Sequence, residues 1–157
     1  MLLKQNEISK INMGGKGGAE RHFSPILPDY RRVSAPLYDF INETNNHKIE
    51  LKKQKNLQWF DAGKYHNLST ENKNICMLFV LHNGEDVVGV YSITLGKLID
   101  LLCKDSECQK DGWTVENIKQ CYQLKISFPK MQVKVPVKVK NFIKKYKNDF
   151  GTEYESR

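Results

Sequence analysis

Long hydrophobic runs are missing from this chain of 157 residues. No apolar stretch approaches the ~18–20 residues of a membrane span. The opening Met1-Leu2-Leu3-Lys4-Gln5-Asn6-Glu7 also lacks the apolar stretch of a secretory signal. We therefore expect no membrane contact and a cytoplasmic protein. Cysteine is scarce: four in the chain are too few for a disulfide scaffold and agree with a reducing compartment. Cys103, Cys108 and Cys121 are spaced C-x4-C-x12-C, with Cys76 or His82 as a candidate fourth ligand. Structural zinc sites usually use tighter pairs, so packed thiols are the stronger expectation. None of the four histidines has a neighbour that would make a Cys-His or Ser-His-Asp site; His22, His47 and His66 lie in polar segments and are expected to be exposed, whereas His82 follows an apolar strand and has a base edge or phosphate within reach. A phosphate loop is missing too. In Gly14-Gly15-Lys16-Gly17-Gly18 the lysine is followed by glycine, and no apolar strand precedes it. Residues 1–20 are expected to be a flexible glycine-rich arm.

Acids are absent from the stretch Lys125 to Lys147, which holds eight lysines in a chain whose net charge is only +7. Lysines on a strand edge guard against pairing with other chains, but an uncompensated run of this length points to a phosphate backbone as partner. Val133, Val135, Val137 and Val139 alternate with Lys134, Pro136, Lys138 and Lys140. We expect a strand with one valine face, either at an edge or locally interrupted, because Pro136 cannot donate to a ladder. A short basic helix from Asn141 to Phe150 should follow.

The rest of the composition, 39% hydrophobic and 27% charged, is that of one globular domain spanning 1–157. Ile75 to Leu81 is a continuous apolar run of strand length, expected to be buried on both faces. After a turn at Asn83-Gly84 a second strand should run from Val87 to Ile93. Leu95, Leu98, Ile99 and Leu102 recur at helical spacing behind Thr94, a candidate N-cap. A further helix is expected over Trp113 to Leu124, while Asn56 to Gly63 shows no clear period. The fold class is α/β or α+β, a mixed sheet of five or six strands flanked by helices.

The chemistry concentrates around Glu50. Lys48-Ile49-Glu50-Leu51-Lys52 reads as a strand whose alternation places Glu50 and Lys52 together, away from Ile49 and Leu51. Leu37-Tyr38-Asp39-Phe40-Ile41 reads as a second strand, and the asparagine-rich segment Asn42 to His47 has the length of a hairpin connection. If the two strands pair, Asp39 faces Glu50. Two carboxylates beside an ammonium make a hard oxygen site for a divalent cation, and that is phosphodiester chemistry. The spacing alone decides little, because at this composition chance gives about 2.4 acid-x-Lys matches and two are present. The second, Asp61 with Glu71-Asn72-Lys73, lies in a polar segment without alternation and reads as a loop.

On residues Pro36 through Gln54 the chain resembles the PD-(D/E)xK nuclease superfamily and, within it, small type II restriction endonucleases. The family's proline directly before the first acid is replaced by Tyr38, with Pro36 three residues before Asp39. The resemblance implies Asp39, Glu50 and the backbone carbonyl of Leu51 as ligands of Mg²⁺, with Mn²⁺ able to substitute, and Lys52 as the residue that orients the attacking water. It implies Glu20 as an additional ligand from an N-terminal helix. It also implies double-stranded DNA as substrate, a homodimer that cuts both strands, and a methyltransferase as genomic partner. Arg31, Arg32, Lys53, Gln54, Lys55, Lys134, Lys138 and Lys140 are the candidate DNA contacts. A structure-specific repair nuclease and a non-catalytic nucleic-acid-binding module are the alternatives.

Overall fold

The computed structural model describes residues 23–54, 58–61, 72–84, 86–105 and 134–156. In chain order its elements are β1 (Arg31–Arg32), β2 (Phe40–Asn42), β3 (His47–Gln54), β4 (Gln58–Asp61), β5 (Cys76–Asn83), β6 (Asp86–Thr94), helix α1 (Leu95–Lys104), β7 (Lys134–Val137), helix α2 (Val139–Lys145) and β8 (Gly151–Glu155). Six strands form a mixed sheet in the order β1-β2-β3-β5-β6-β8, and β4 pairs with β7 separately. Only β3 and β5 are parallel neighbours in the large sheet. This is the expected mixed sheet with helices, in its α+β form.

Strand periodicity explains why β5 is apolar throughout. Met77, Phe79 and Leu81 enter one core, while Cys76, Leu78 and Val80 enter the other. The first core is closed by Leu95, Leu98, Ile99, Leu101 and Leu102 of α1 and by Val139, Phe142 and Ile143 of α2. On the opposite face, Phe23, Ile26 and Leu27 cover Phe40, Ile49 and Leu51. Both described helices therefore lie on one face of the sheet. Among the described residues no helix is long and apolar enough to cross a membrane.

Turn chemistry sets the hairpins. Between β5 and β6, Gly84 takes a positive φ of 60° that a Cβ would strain. In the β2–β3 turn Asn46 takes a φ of 61°, which asparagine tolerates. Asn42 Oδ1 accepts from Thr44 N–H and Asn45 Oδ1 accepts from His47 N–H, so side-chain amides stand in for backbone turn partners.

Several expectations need correction. The valine-lysine strand stops at Val137 and lies in the two-stranded sheet, because Val139 is buried in the first core as the first residue of α2. The basic helix is shorter than expected, Val139–Lys145, and a 3-10 turn at Lys147–Asp149 follows it. β8 was not anticipated, and Gln58–Asp61, where the sequence showed no period, forms β4. The glycine-rich arm, the helix expected over 113–124, Cys108 and Cys121 lie outside the described residues.

Helix α1 is capped by Thr94, whose hydroxyl accepts from Lys97 N–H. It ends at Asp105, a carboxylate only 2% exposed that accepts from Lys145 Nζ at 2.8 Å and from the Tyr146 hydroxyl at 2.5 Å. This pair of bonds ties α1 to α2. Asp105→Ala leaves the Tyr146 hydroxyl without that acceptor and should lower unfolding free energy by about 1–3 kcal/mol in urea titration. Site chemistry in the β2–β3 hairpin should be unaffected.

Candidate active site

The β2–β3 hairpin pairs Phe40 with Ile49, Ile41 with Lys48 and Asn42 with His47. Asp39 sits in the bend just before β2 rather than within a strand as expected. Its N–H still donates to the Ile49 carbonyl at 2.8 Å, and its own carbonyl accepts from Val33 N–H at 2.8 Å. Asp39 and Phe40 thus both address Ile49, a bulge-like irregularity of the kind that re-aims a side chain. The Asp39 carboxylate accepts from Leu51 N–H at 2.8 Å and shares a side-chain hydrogen bond with Glu50.

Glu50 is 6% exposed. Its register partner in β5 is Met77 and that of Lys52 is Phe79, so both side chains project on the face that α1 and α2 cover. Lys52 Nζ stands 3.8 Å from Glu50 Oε2. Burial, the hydrogen bond to Glu50 and the Glu50 charge together push the Asp39 pKa up to about 7, against smaller opposing effects of Leu51 N–H and Lys52. Burial is the largest of these effects, so the surroundings oppose ionisation of Asp39 beside Glu50. Asp39, Glu50 and the Leu51 carbonyl are the protein oxygens that could hold a divalent cation here. Among the described residues there is no group of three or more His, Cys, Asp or Glu side chains that could hold a metal ion.

The other candidates are spread around this centre. Arg31 and Arg32 form exposed β1, and Arg31 is held by Glu43, with Nε at 2.8 Å from Oε1. Lys53 is exposed on β3, Gln54 ends that strand, and Lys134 lies in β7. Lys138 and Lys140 are exposed at the start of α2. Glu20 and Lys55 lie outside the described residues. Of the competing triplet, Asp61 is in β4, in the separate sheet, and Lys73 is in a 3-10 turn at Asn72–Asn74, while Glu71 is not among the described residues.

One histidine differs from expectation. His47 is half-buried instead of exposed, with Nδ1 2.6 Å from the Tyr30 hydroxyl, and burial lowers its pKa. His82 turns back on its own hairpin, with Nδ1 3.0 Å from the Gly84 carbonyl oxygen. Cys76 is buried in the second core and its thiol is pushed up to about 12, mainly by burial, which leaves it a packing residue. Sequence reasoning missed Lys48, which shares the Glu50 face by parity and places Nζ 5.1 Å from the centre of the Tyr38 ring. Its position two residues before Glu50 was the available signal.

No family model matches the chain, and a search of curated proteins finds no match either.

Proposed function

We propose that this chain is a metal-dependent DNA endonuclease that hydrolyses phosphodiester bonds, in the manner of type II restriction enzymes and with Mg²⁺ as its cofactor. The observation that carries this reading is the meeting of Asp39 and Glu50, with Lys52 beside Glu50, on one hairpin. A bound Mg²⁺ would supply a Lewis acid and a water of lowered pKa. Asp39 and Glu50 would give that cation its protein oxygens, and the Leu51 N–H fixes the Asp39 carboxylate through one of its oxygens. Lys52 orients the water for in-line attack and offsets charge that develops on the phosphate. The burial of Glu50 keeps these charges in a medium of low dielectric, where each acts more strongly than in water.

The lysines of α2 support a polyanionic substrate. Lys140 and Lys144, with Lys138 at its N-cap, are exposed on the helix that covers the same sheet face as the acids. A chain with one such centre needs a second copy to cut both strands, so a twofold homodimer belongs to this reading, as does a methyltransferase that protects the host's own sites. Base contacts from Gln54 and its neighbours remain part of the same proposal.

The test is incubation of the purified protein with supercoiled plasmid and Mg²⁺ or Mn²⁺. Discrete bands on a gel are expected, with EDTA stopping the reaction and Ca²⁺ supporting binding without turnover. A smear would replace sequence specificity with general cleavage, and activity restricted to branched substrates would make the protein a repair nuclease. Intact plasmid and genomic DNA under both metals would leave a nucleic-acid-binding module as the better account.

A further inference from the structure

Beside the tip of the β2–β3 hairpin lies a cavity of about 360 Å³ lined by Asn45, Asn46, His47, Lys48, Asn74 and Ile75. Its walls come from the start of β3 with the turn before it and from Asn74 and Ile75, which lead into β5, whose first residue Cys76 is in register with Ile49. The walls are also fixed. Asn45 is engaged in its own turn, Asn46 holds a left-handed backbone, and the His47 ring is pinned by Tyr30. The volume falls within the range of small-molecule sites, and five of the six lining residues carry polar side chains, among them three amides that both donate and accept.

Lys48 links this cavity to the carboxylates. Strand alternation places Lys48, Glu50 and Lys52 on one face, and two residues of extended chain cover about 7 Å, close to one nucleotide step along a strand. Tyr38 packs against the first core and lies under Lys48 Nζ at 5.1 Å from its ring centre, so the ammonium is directed by a supported aromatic face. We propose that this cavity binds the nucleotide adjoining the scissile phosphate, with Lys48 on the adjoining phosphate and the asparagine amides on the base edge or sugar. The inference rests on the nuclease reading of Asp39, Glu50 and Lys52. It makes Lys48 a positioning residue and predicts that it acts on substrate binding rather than on the chemical step.

The experiment uses full-length wild type, Lys48→Gln, Lys48→Arg and, as a control on α1, Lys104→Gln. Each is titrated with a labelled mixed-sequence duplex in Ca²⁺ at several salt concentrations and assayed on plasmid in Mg²⁺. Lys48→Gln should flatten the log–log salt slope by about 0.9, the contribution of one phosphate contact. It should raise KM about five- to tenfold with kcat nearly unchanged. Lys48→Arg, which keeps the charge over Tyr38, and Lys104→Gln should both retain the wild-type slope. Asn74→Asp, equal in size but negative, should weaken duplex binding at low salt. An unaltered slope and KM in a folded Lys48→Gln that still binds and cuts would overturn the nucleotide pocket and leave the active-site reading standing. A wild type that binds duplex but cuts nothing would remove the active-site reading, and the pocket proposal with it.

Discussion

Asp39→Asn is expected to cut cleavage by about 10³-fold or more and, at the same time, to stabilise the metal-free protein at neutral pH. The second effect comes first from the burial of Asp39 and then from its hydrogen bond to Glu50 and the Glu50 charge. The folded carboxyl titrates at about 7 instead of 3.8. Below pH 3.8 it is protonated in folded and unfolded chains alike, and variant and wild type are equally affected. Between 3.8 and about 7 the unfolded chain ionises and the folded one resists, so wild-type stability falls as pH rises; above about 7 the deficit is constant. The full gap sets an upper bound of about 4 kcal/mol. Because the carboxyl is only half-buried, solvent screening reduces the expected gain in the variant to about 1–2 kcal/mol. Urea titrations across this window measure it, and a difference that stays flat with pH would show that the two acids do not burden each other. Saturating Ca²⁺ or Mg²⁺ should stabilise wild type by about 2.7 kcal/mol at a hundredfold excess over Kd, which more than offsets the deficit, but should not stabilise Asp39→Asn in this way. Glu71→Ala combined with Lys73→Ala is the matched control and should retain activity; loss of cleavage there would transfer the site to Asp61, Glu71 and Lys73.

Reversing Lys138, Lys140 and Lys144 to Glu should reduce duplex affinity on the order of 10²-fold at low salt, independent of sequence, and flatten the salt slope by about 2.7. The substitutions fall on the outer side of α2, whose inner side buries Val139, Phe142 and Ile143, so folding should survive. Three other lysines nearby are already paired, Lys97 with Asp149, Lys145 with Asp105 and Lys147 with Glu155. Their reversal should therefore alter stability more than DNA affinity. Unchanged affinity of the triple variant in a salt titration would assign Lys138, Lys140 and Lys144 to solubility alone.

The parts of this architecture legible in the sequence were those written in short-range periodicity. Ile75 to Leu81 announced a doubly buried strand, Asn83-Gly84 its turn, and Thr94 with Leu95, Leu98, Ile99 and Leu102 a capped helix. The hairpin that joins Asp39 to Glu50 was equally local. What stayed hidden was long-range partnership. The alternation around Pro136 identified a strand but not its partner, and Val139 continues the valine pattern while belonging to a helix because Phe142 and Ile143 follow it into the core. Strand β8 carries Glu153 and Glu155 among small and polar residues, and becomes a strand by pairing with β6, where Tyr91 and Ser92 accommodate those acids. The bend at Asp39 was invisible for the same reason: it shows only in which carbonyl its N–H finds.

The three side chains proposed for the chemistry lie within one segment of fourteen residues, Asp39 to Lys52, and this bears on the order in which the molecule assembles. A hairpin of this reach closes in roughly 1–10 μs, whereas β3 meets β5 only after Ile49 finds Cys76 across a crossover that also contains β4. Parallel pairing of that kind is a slow step. An isolated hairpin is marginal in water, so the two acids are brought together early and locked late, when β5 arrives and buries Glu50 beside Met77. Amide exchange at Leu51 would then report on the sheet as a whole, and fraying at the β8 edge would leave the acids where they are.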